Sequence, residues 1–166
     1  NGIWVPTFPN ARYLFGRKEW AHWSSEQAQH RDGDVMGDSV RPIIDAGLAE
    51  LVDMDHALTA EVRLEPTPGH TPGHVSVRIS SRCEEAVITG DLMHHPLQCA
   101  EPDLANNFDV DAAAARRTRR DFLARYSNQP VLVLGTHFAP PTGGWVVDAK
   151  EAWRFELTAP AGSGKT

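Results

Sequence analysis

The sequence predicts an α/β fold, on three observations. Residues 60–65 (A-E-V-R-L-E) and 74–79 (H-V-S-V-R-I) alternate with period two, as half-buried strands do. Residues 85–91 (E-A-V-I-T-G-D) and 131–138 (V-L-V-L-G-T-H-F) begin as short apolar runs closed by glycine, the form of a buried strand. Around them lie segments with apolar residues at helical spacing, above all residues 110–126. Strands of mixed direction packed between helices would bury all of these faces. With 166 residues, 41% of them hydrophobic, the chain can build a sizeable core. Its formal charge of −6, and the absence of a basic cluster outside one helix, argue against nucleic acid or an anionic membrane surface as partner. No apolar run approaches a membrane span, and no signal peptide is visible in the sequence.

From the amino terminus, residues 1–9 are extended and punctuated by Pro6 and Pro9. Residues 13–15 predict a short strand ended by Gly16. Residues 18–23 predict a short helix with Trp20 and Trp23 on one face, where packing is a better account of them than pocket lining. Residues 27–37 are polar and glycine-containing and predict a mobile loop with a solvated His30. Ser39 is placed to cap a helix with the apolar stripe Val40, Ile43, Ile44 and Leu48; Pro42 then falls in the first turn, where its missing N–H is harmless. Residues 50–52 and 60–64 follow as strands joined by a turn that holds Asp53 and His56.

Next comes the stretch P-T-P-G-H-T-P-G-H-V, residues 66–75. Pro68 and Pro72 fix their own φ and lack a donor, while Gly69 and Gly73 permit tight turns, so His70 and His74 lie in a stiff loop between strands rather than on one helical face. A loop histidine is ordinarily solvated. Two later segments change that reading, because one apolar strand ends in Asp91 and another in His137. Histidine, aspartate and histidine delivered at strand ends form a neutral-imidazole and carboxylate set that suits zinc and similar divalent ions.

The remaining elements frame that set. Residues 94–109 are irregular and leave directly from Asp91, a functional position for a loop. Asp109 is placed to cap a helix over 110–126 with Ala115, Thr118, Phe122 and Tyr126 inward, and with Arg116, Arg117, Arg119, Arg120 and Arg125 on a solvated face. Residues 145–147 and 152–157 predict closing strands. The tail A-P-A-G-S-G-K-T has Ala159 where a phosphate-binding loop needs its first glycine, so nucleotide binding is rejected. Cys83 and Cys99 show no C-x-x-C spacing and are either free or paired.

The ordered set P-G-H-T-P-G-H, T-G-D and G-T-H resembles the metallo-β-lactamase superfamily of metal-dependent hydrolases, and the resemblance covers nearly all of the chain. Residues 90–98 (G-D-L-M-H-H-P-L-Q) and 137–145 (H-F-A-P-P-T-G-G-W) are most similar to the branch containing organophosphate hydrolases and quorum-quenching lactonases. The resemblance implies a four-layered αββα fold and two divalent ions, zinc by preference. It also implies hydrolysis of a small-molecule lactone, phosphotriester or related ester. By the same resemblance His70 is a ligand of the first metal, Asp91 the catalytic carboxylate bridging both, and His137 the last histidine of the second. His74 falls where the family has no ligand and is read as a support for the ligands. His94 and His95, just past Asp91, are read as further support or leaving-group contacts, with ordinary loop histidines as the equal alternative.

The family signature H-x-H-x-D-H does not occur in these residues; Asp55 and His56 are present, but Leu51 and Asp53 stand where histidines are required. Residues 4–23 resemble the stretch that follows that signature, which predicts a metallo-β-lactamase-like domain over residues 1–158 lacking its N-terminal part, and a polar tail over 159–166. On this expectation the parent protein is the hydrolase. The chain alone would hold at most one metal weakly, show no appreciable turnover, and tend to form homo-oligomers through uncovered apolar surface. The other reading is a non-catalytic remnant or structural module of the same fold.

Overall fold

The computed structural model describes residues 3–25 and 35–159. Most of the predicted loop at 27–37, including His30, lies outside the described residues, as do residues 160–166 of the tail. The chain divides into two compact units, Asn1–Met54 and Asp55–Thr166.

In the first unit, strand β1 (Tyr13–Gly16) pairs in parallel with β2 (Ala49–Val52). Their connection carries helix α1 (Arg17–Trp23), a π-helical turn at Met36–Val40 and helix α2 (Arg41–Asp45). Parallel strands need a connection of this kind, because a tight turn cannot return the chain to the same end. Arg17 donates to Leu51 O at 2.9 Å and to Asp53 at 3.3 Å, tying α1 to the end of β2. Trp20 and Trp23 are half-buried, consistent with a packing role. Ser39 does not cap α2 as expected: the chain is already helical from Met36, so no orphan N–H awaits its hydroxyl, and Ile43 alone of the predicted stripe is buried.

The second unit is a six-stranded sheet in the order β3-β4-β5-β6-β7-β8. The strands are β3 (Val62–Pro66), β4 (Val75–Ser81), β5 (Glu84–Ile88), β6 (Val131–Leu134), β7 (Gly143–Asp148) and β8 (Trp153–Glu156). All neighbours are antiparallel except β5 and β6, which run parallel with Glu85 opposite Val131. That pair is joined by a long connection carrying a short helix α3 (Leu97–Ala100) and the main helix α4 (Ala112–Tyr126). The expected strands at 50–52 and 60–64 are thus sequential but belong to different sheets. Val87, Val133 and Val146 of the sheet pack with Phe122, Leu123 and Tyr126 of α4 and with Met93, Cys99 and Phe138 from the connections. Both cysteines are free; burial pushes the Cys99 thiol up to about 12, so it behaves as a small apolar core residue.

Helix α4 differs from its sequence reading at two points. Asp111, not Asp109, is its cap, accepting from Ala114 N at 2.9 Å. Arg119, expected in the solvated face, is 1% exposed. The remaining predicted inward residues hold, with Thr118 half-buried and Leu123 joining them.

Candidate metal centre

The register places three connections at one edge of the sheet. Pro66 ends β3 opposite Val75, which begins β4, and Ile88 ends β5 beside both Val77 of β4 and Leu134, the end of β6. The loop after β3, the turn after β5 and the turn after β6 therefore emerge together, bringing His70, Asp91 and His137 to one place. Asp91 and His137 do not end their strands, as expected from sequence, but lie one turn beyond them.

The loop holding His70 is braced against α4. Gly69 has φ 141°, and a Cβ there would lie 2.3 Å from the backbone N and Cα of Ala115, so only glycine permits this approach. Thr118 donates to Pro68 O at 2.6 Å, Val110 N to His70 O at 2.9 Å and Asp111 N to Gly69 O at 3.0 Å.

Asp91 lies in a 3-10 turn, Gly90–Leu92, and is held by His74. Its backbone N–H donates to His74 Nε2 at 2.8 Å. Because Nε2 accepts, the proton of the neutral ring sits on Nδ1, which donates to Thr67 O at 3.0 Å with Thr67 Oγ1 at 2.9 Å. Both ring nitrogens of His74 are committed to backbone support. Gly90, at φ 58°, lets the turn approach this ring: a Cβ would meet Nε2 at 2.7 Å.

Around the Asp91 carboxylate, His137 Nε2 lies 2.9 Å from Oδ1, and His70 Nε2 and His94 Nε2 lie 3.3 and 4.0 Å from Oδ2. His94 stacks on His137 with ring centroids 4.6 Å apart and is contacted by Asn106 Nδ2 at 3.0 Å from its Nδ1. Partial burial opposes ionisation of Asp91, but the hydrogen bond from His137 and the fields of His70, His137 and His94 outweigh it and hold the carboxyl below its usual range. Burial, then the field of His137, lowers the pKa of His94 against the pull of Asp91 and favours its neutral, ligating form.

His70 carries a feature that the sequence did not suggest. Its Nδ1 lies 3.2 Å from Asp109 Oδ1, and the Asp109 side chain is 2% exposed. Arg119 NH2 stands 3.9 Å from the other Asp109 oxygen. The same guanidinium donates to Leu92 O at 3.1 Å, Pro102 O at 2.7 Å and Leu104 O at 3.1 Å. Asp109 and Arg119, which the sequence predicts at a helix cap and on a solvated face, thus lie behind the site. A signal was present for Arg119, since Ala115, Arg119, Phe122 and Tyr126 share one helical stripe.

Two further histidines of this unit, His95 and His56, lie outside the cluster. His95 is exposed, and its Nδ1 accepts from Leu97 N at the start of α3. His56 lies in the turn before β3 and is not among the grouped ligand atoms of the described residues, and His22 belongs to helix α1 of the first unit.

The donor set fits a divalent ion. Ligand atoms of His70, Asp91 and His94 all lie within 4.8 Å of one another. With Nδ1–H of His70 donated to Asp109, the lone pair of the neutral ring on Nε2 faces a carboxylate oxygen, and a cation held between them would relieve that opposition.

Imidazoles and a carboxylate gathered at one sheet edge are the donor types of divalent-metal sites. The chain belongs to the metallo-beta-lactamase superfamily, whose family model matches residues 4–152. Solved structures agree on the fold. The hydrolase AbOPH of the beta-lactamase superfamily superposes with a TM-score of 0.80 at 20% identity over 95% of this chain and 58% of that one. AidC, a dizinc quorum-quenching lactonase solved in complex with a product, gives 0.74 at 21% identity over 92% of this chain and 56% of that one. A probable metal-dependent hydrolase from Staphylococcus aureus gives 0.71 at 17% identity over 91% and 54%. The chain therefore spans little more than half the length of each. No curated protein matches the sequence significantly.

Proposed function

We propose that this edge is the metal site of a hydrolase for lactones, phosphotriesters or related esters, in which His70, Asp91 and His137 would hold a divalent ion, zinc by donor type, and which would take two ions where an H-x-H-x-D-H segment supplies further ligands. The observation that carries the reading is the arrangement around Asp91: one carboxylate oxygen faces His137 and the other faces His70 and His94. A divalent ion bound there supplies Lewis acidity and activates water at neutral pH. The chain's own residues do the positioning. His74 fixes the Asp91 backbone, and the braced loop fixes His70. Asp91 and His137 remain partly exposed, leaving the site open to a small molecule. His94, stacked on His137 and with its ligand atom grouped with those of His70 and Asp91, would support the metal ligands or contact the leaving group. The exposed side chains of Ile3, Trp4, Val5 and Phe8 support self-association.

A second reading, a non-catalytic module of the same fold, is favoured by one observation: H-x-H-x-D-H does not occur in these 166 residues. Turnover of a lactone and a phosphotriester with added zinc separates the two, measured on this segment and on a polypeptide in which an H-x-H-x-D-H segment precedes it. Zinc-dependent turnover by the latter, lost in Asp91→Asn, is expected, with none from the segment alone. Turnover indifferent to zinc and to Asp91→Asn would overturn the hydrolase reading, and no turnover from either would favour the module.

A further inference from the structure

We propose that Asp109 is a positioning residue for His70: its buried carboxylate fixes the imidazole as the Nδ1–H form with Nε2 turned to Asp91, and Arg119 fixes Asp109 in turn. The inference rests on the metal-site reading for its purpose, though not for its geometry. A carboxylate only accepts, so at 3.2 Å from Asp109 Oδ1 the His70 Nδ1 is the donor. In the neutral ring that assignment leaves Nε2 bearing the lone pair, 3.3 Å from Asp91 Oδ2. A carboxylate behind a ligating imidazole sets its tautomer and orientation and raises its basicity.

Asp109 is not an incidental neighbour. Its side chain is 2% exposed, and a carboxylate so buried persists only with compensation. The compensation is the His70 N–H on one oxygen and Arg119, itself 1% exposed, on the side of the other. Arg119 cannot swing away, because its Nε and NH1 donate to the carbonyls of Leu92, Pro102 and Leu104. Those carbonyls belong to the connection that also carries His94 and Asn106, so one guanidinium ties that connection and Asp109 to α4. Register is set by the backbone: Val110 N donates to His70 O and Asp111 N to Gly69 O, on either side of the side-chain contact. His94 and His137 differ, since among the described residues the carboxylate paired with each is Asp91 itself. His70 is thus the ring whose lone pair is aimed in advance.

Two measurements test this. In the metal-free chain, above the imidazole titration range, long-range proton–nitrogen correlation reports the His70 tautomer. The Nδ1–H form is expected, and the Nε2–H form would overturn the proposal without recourse to any variant. Zinc titration is then compared between the chain and Asp109→Asn, whose amide spectrum shows whether it is folded. Asparagine can donate as well as accept, so the variant is expected to mix the two tautomers and to bind zinc about 10–100-fold more weakly. A folded variant with unchanged tautomer and affinity would overturn the proposal while leaving the metal site intact. If the parent chain binds no zinc, the metal-site reading fails and the tautomer still decides the role of Asp109. If Asp109→Asn does not fold, the tautomer of the parent chain decides alone.

Discussion

Replacing Arg119 by methionine keeps most of the side chain's volume and removes its charge. The structure sets what this does. Arg119 is 1% exposed and donates to three carbonyls, and it is the cation beside the Asp109 carboxylate, which is 2% exposed. Removing one partner of a buried ion pair leaves the other charge uncompensated, a loss of about 3–5 kcal/mol. The three carbonyls lose a charged donor as well, but they lie on a connection that can relax toward water, so about 4 kcal/mol in all is a reasonable expectation. Against the roughly 5–15 kcal/mol that holds a typical domain together, this is a large share. Urea unfolding of the parent chain, Arg119→Met and Arg119→Met/Asp109→Asn measures it. The double variant no longer buries a bare carboxylate and should recover about 1–3 kcal/mol of the loss. Arg120, exposed and paired with Asp103, is the control and should be replaceable with little effect. A loss under about 1 kcal/mol for Arg119→Met, or a double variant no more stable than the single one, would refute the buried-pair reasoning.

Gly69→Ala should destabilise by about 2–4 kcal/mol, because a Cβ would strike the Ala115 backbone and because φ 141° is strained for alanine; a thermal melt close to that of the parent would show that the loop is not braced on α4. His70→Ala should lower bound zinc far more than His74→Ala, since the His74 ring nitrogens are already engaged by Asp91 N and Thr67; equal losses by metal analysis would remove the distinction. The Tyr126 phenol is raised above its ordinary pKa by burial and by its hydrogen bond to Glu65. A raised folded-state pKa contributes stability that is present below the unfolded value, about 10, and is lost as pH rises through the folded value. Alkaline titration followed by phenolate absorbance should therefore show a late transition that is absent in Tyr126→Phe, and no late transition lost in that variant would contradict this.

Much of this site could be read from the sequence because its parts are local. Proline and glycine around His70 and His74 dictate a stiff loop, and the apolar runs before Asp91 and His137 dictate strands, so their convergence follows from sheet pairing. What was not legible depends on contacts far apart in sequence. In the run D-V-D, residues 109–111, either aspartate can cap a helix; only the loop at 69–70, docked by two backbone hydrogen bonds, assigns Asp111 to the cap and Asp109 to His70. The arginine run invited a single reading for all five residues, although Arg119 alone of them sits on the inward stripe. His94 and His95 are adjacent in sequence, yet the turn after Leu92 sends one into the cluster and the other to the N–H of Leu97.

The central claim is that the Asp91 carboxylate and the imidazoles around it form a divalent-metal site. Zinc titration of the chain, followed after dialysis by metal analysis and repeated on Asp91→Asn, tests it most directly. The account expects saturation at no more than one weakly held zinc per chain, and its loss in Asp91→Asn. No saturable binding, or binding that survives Asp91→Asn undiminished, would contradict it; two tightly retained ions would mean that residues beyond this cluster complete the site.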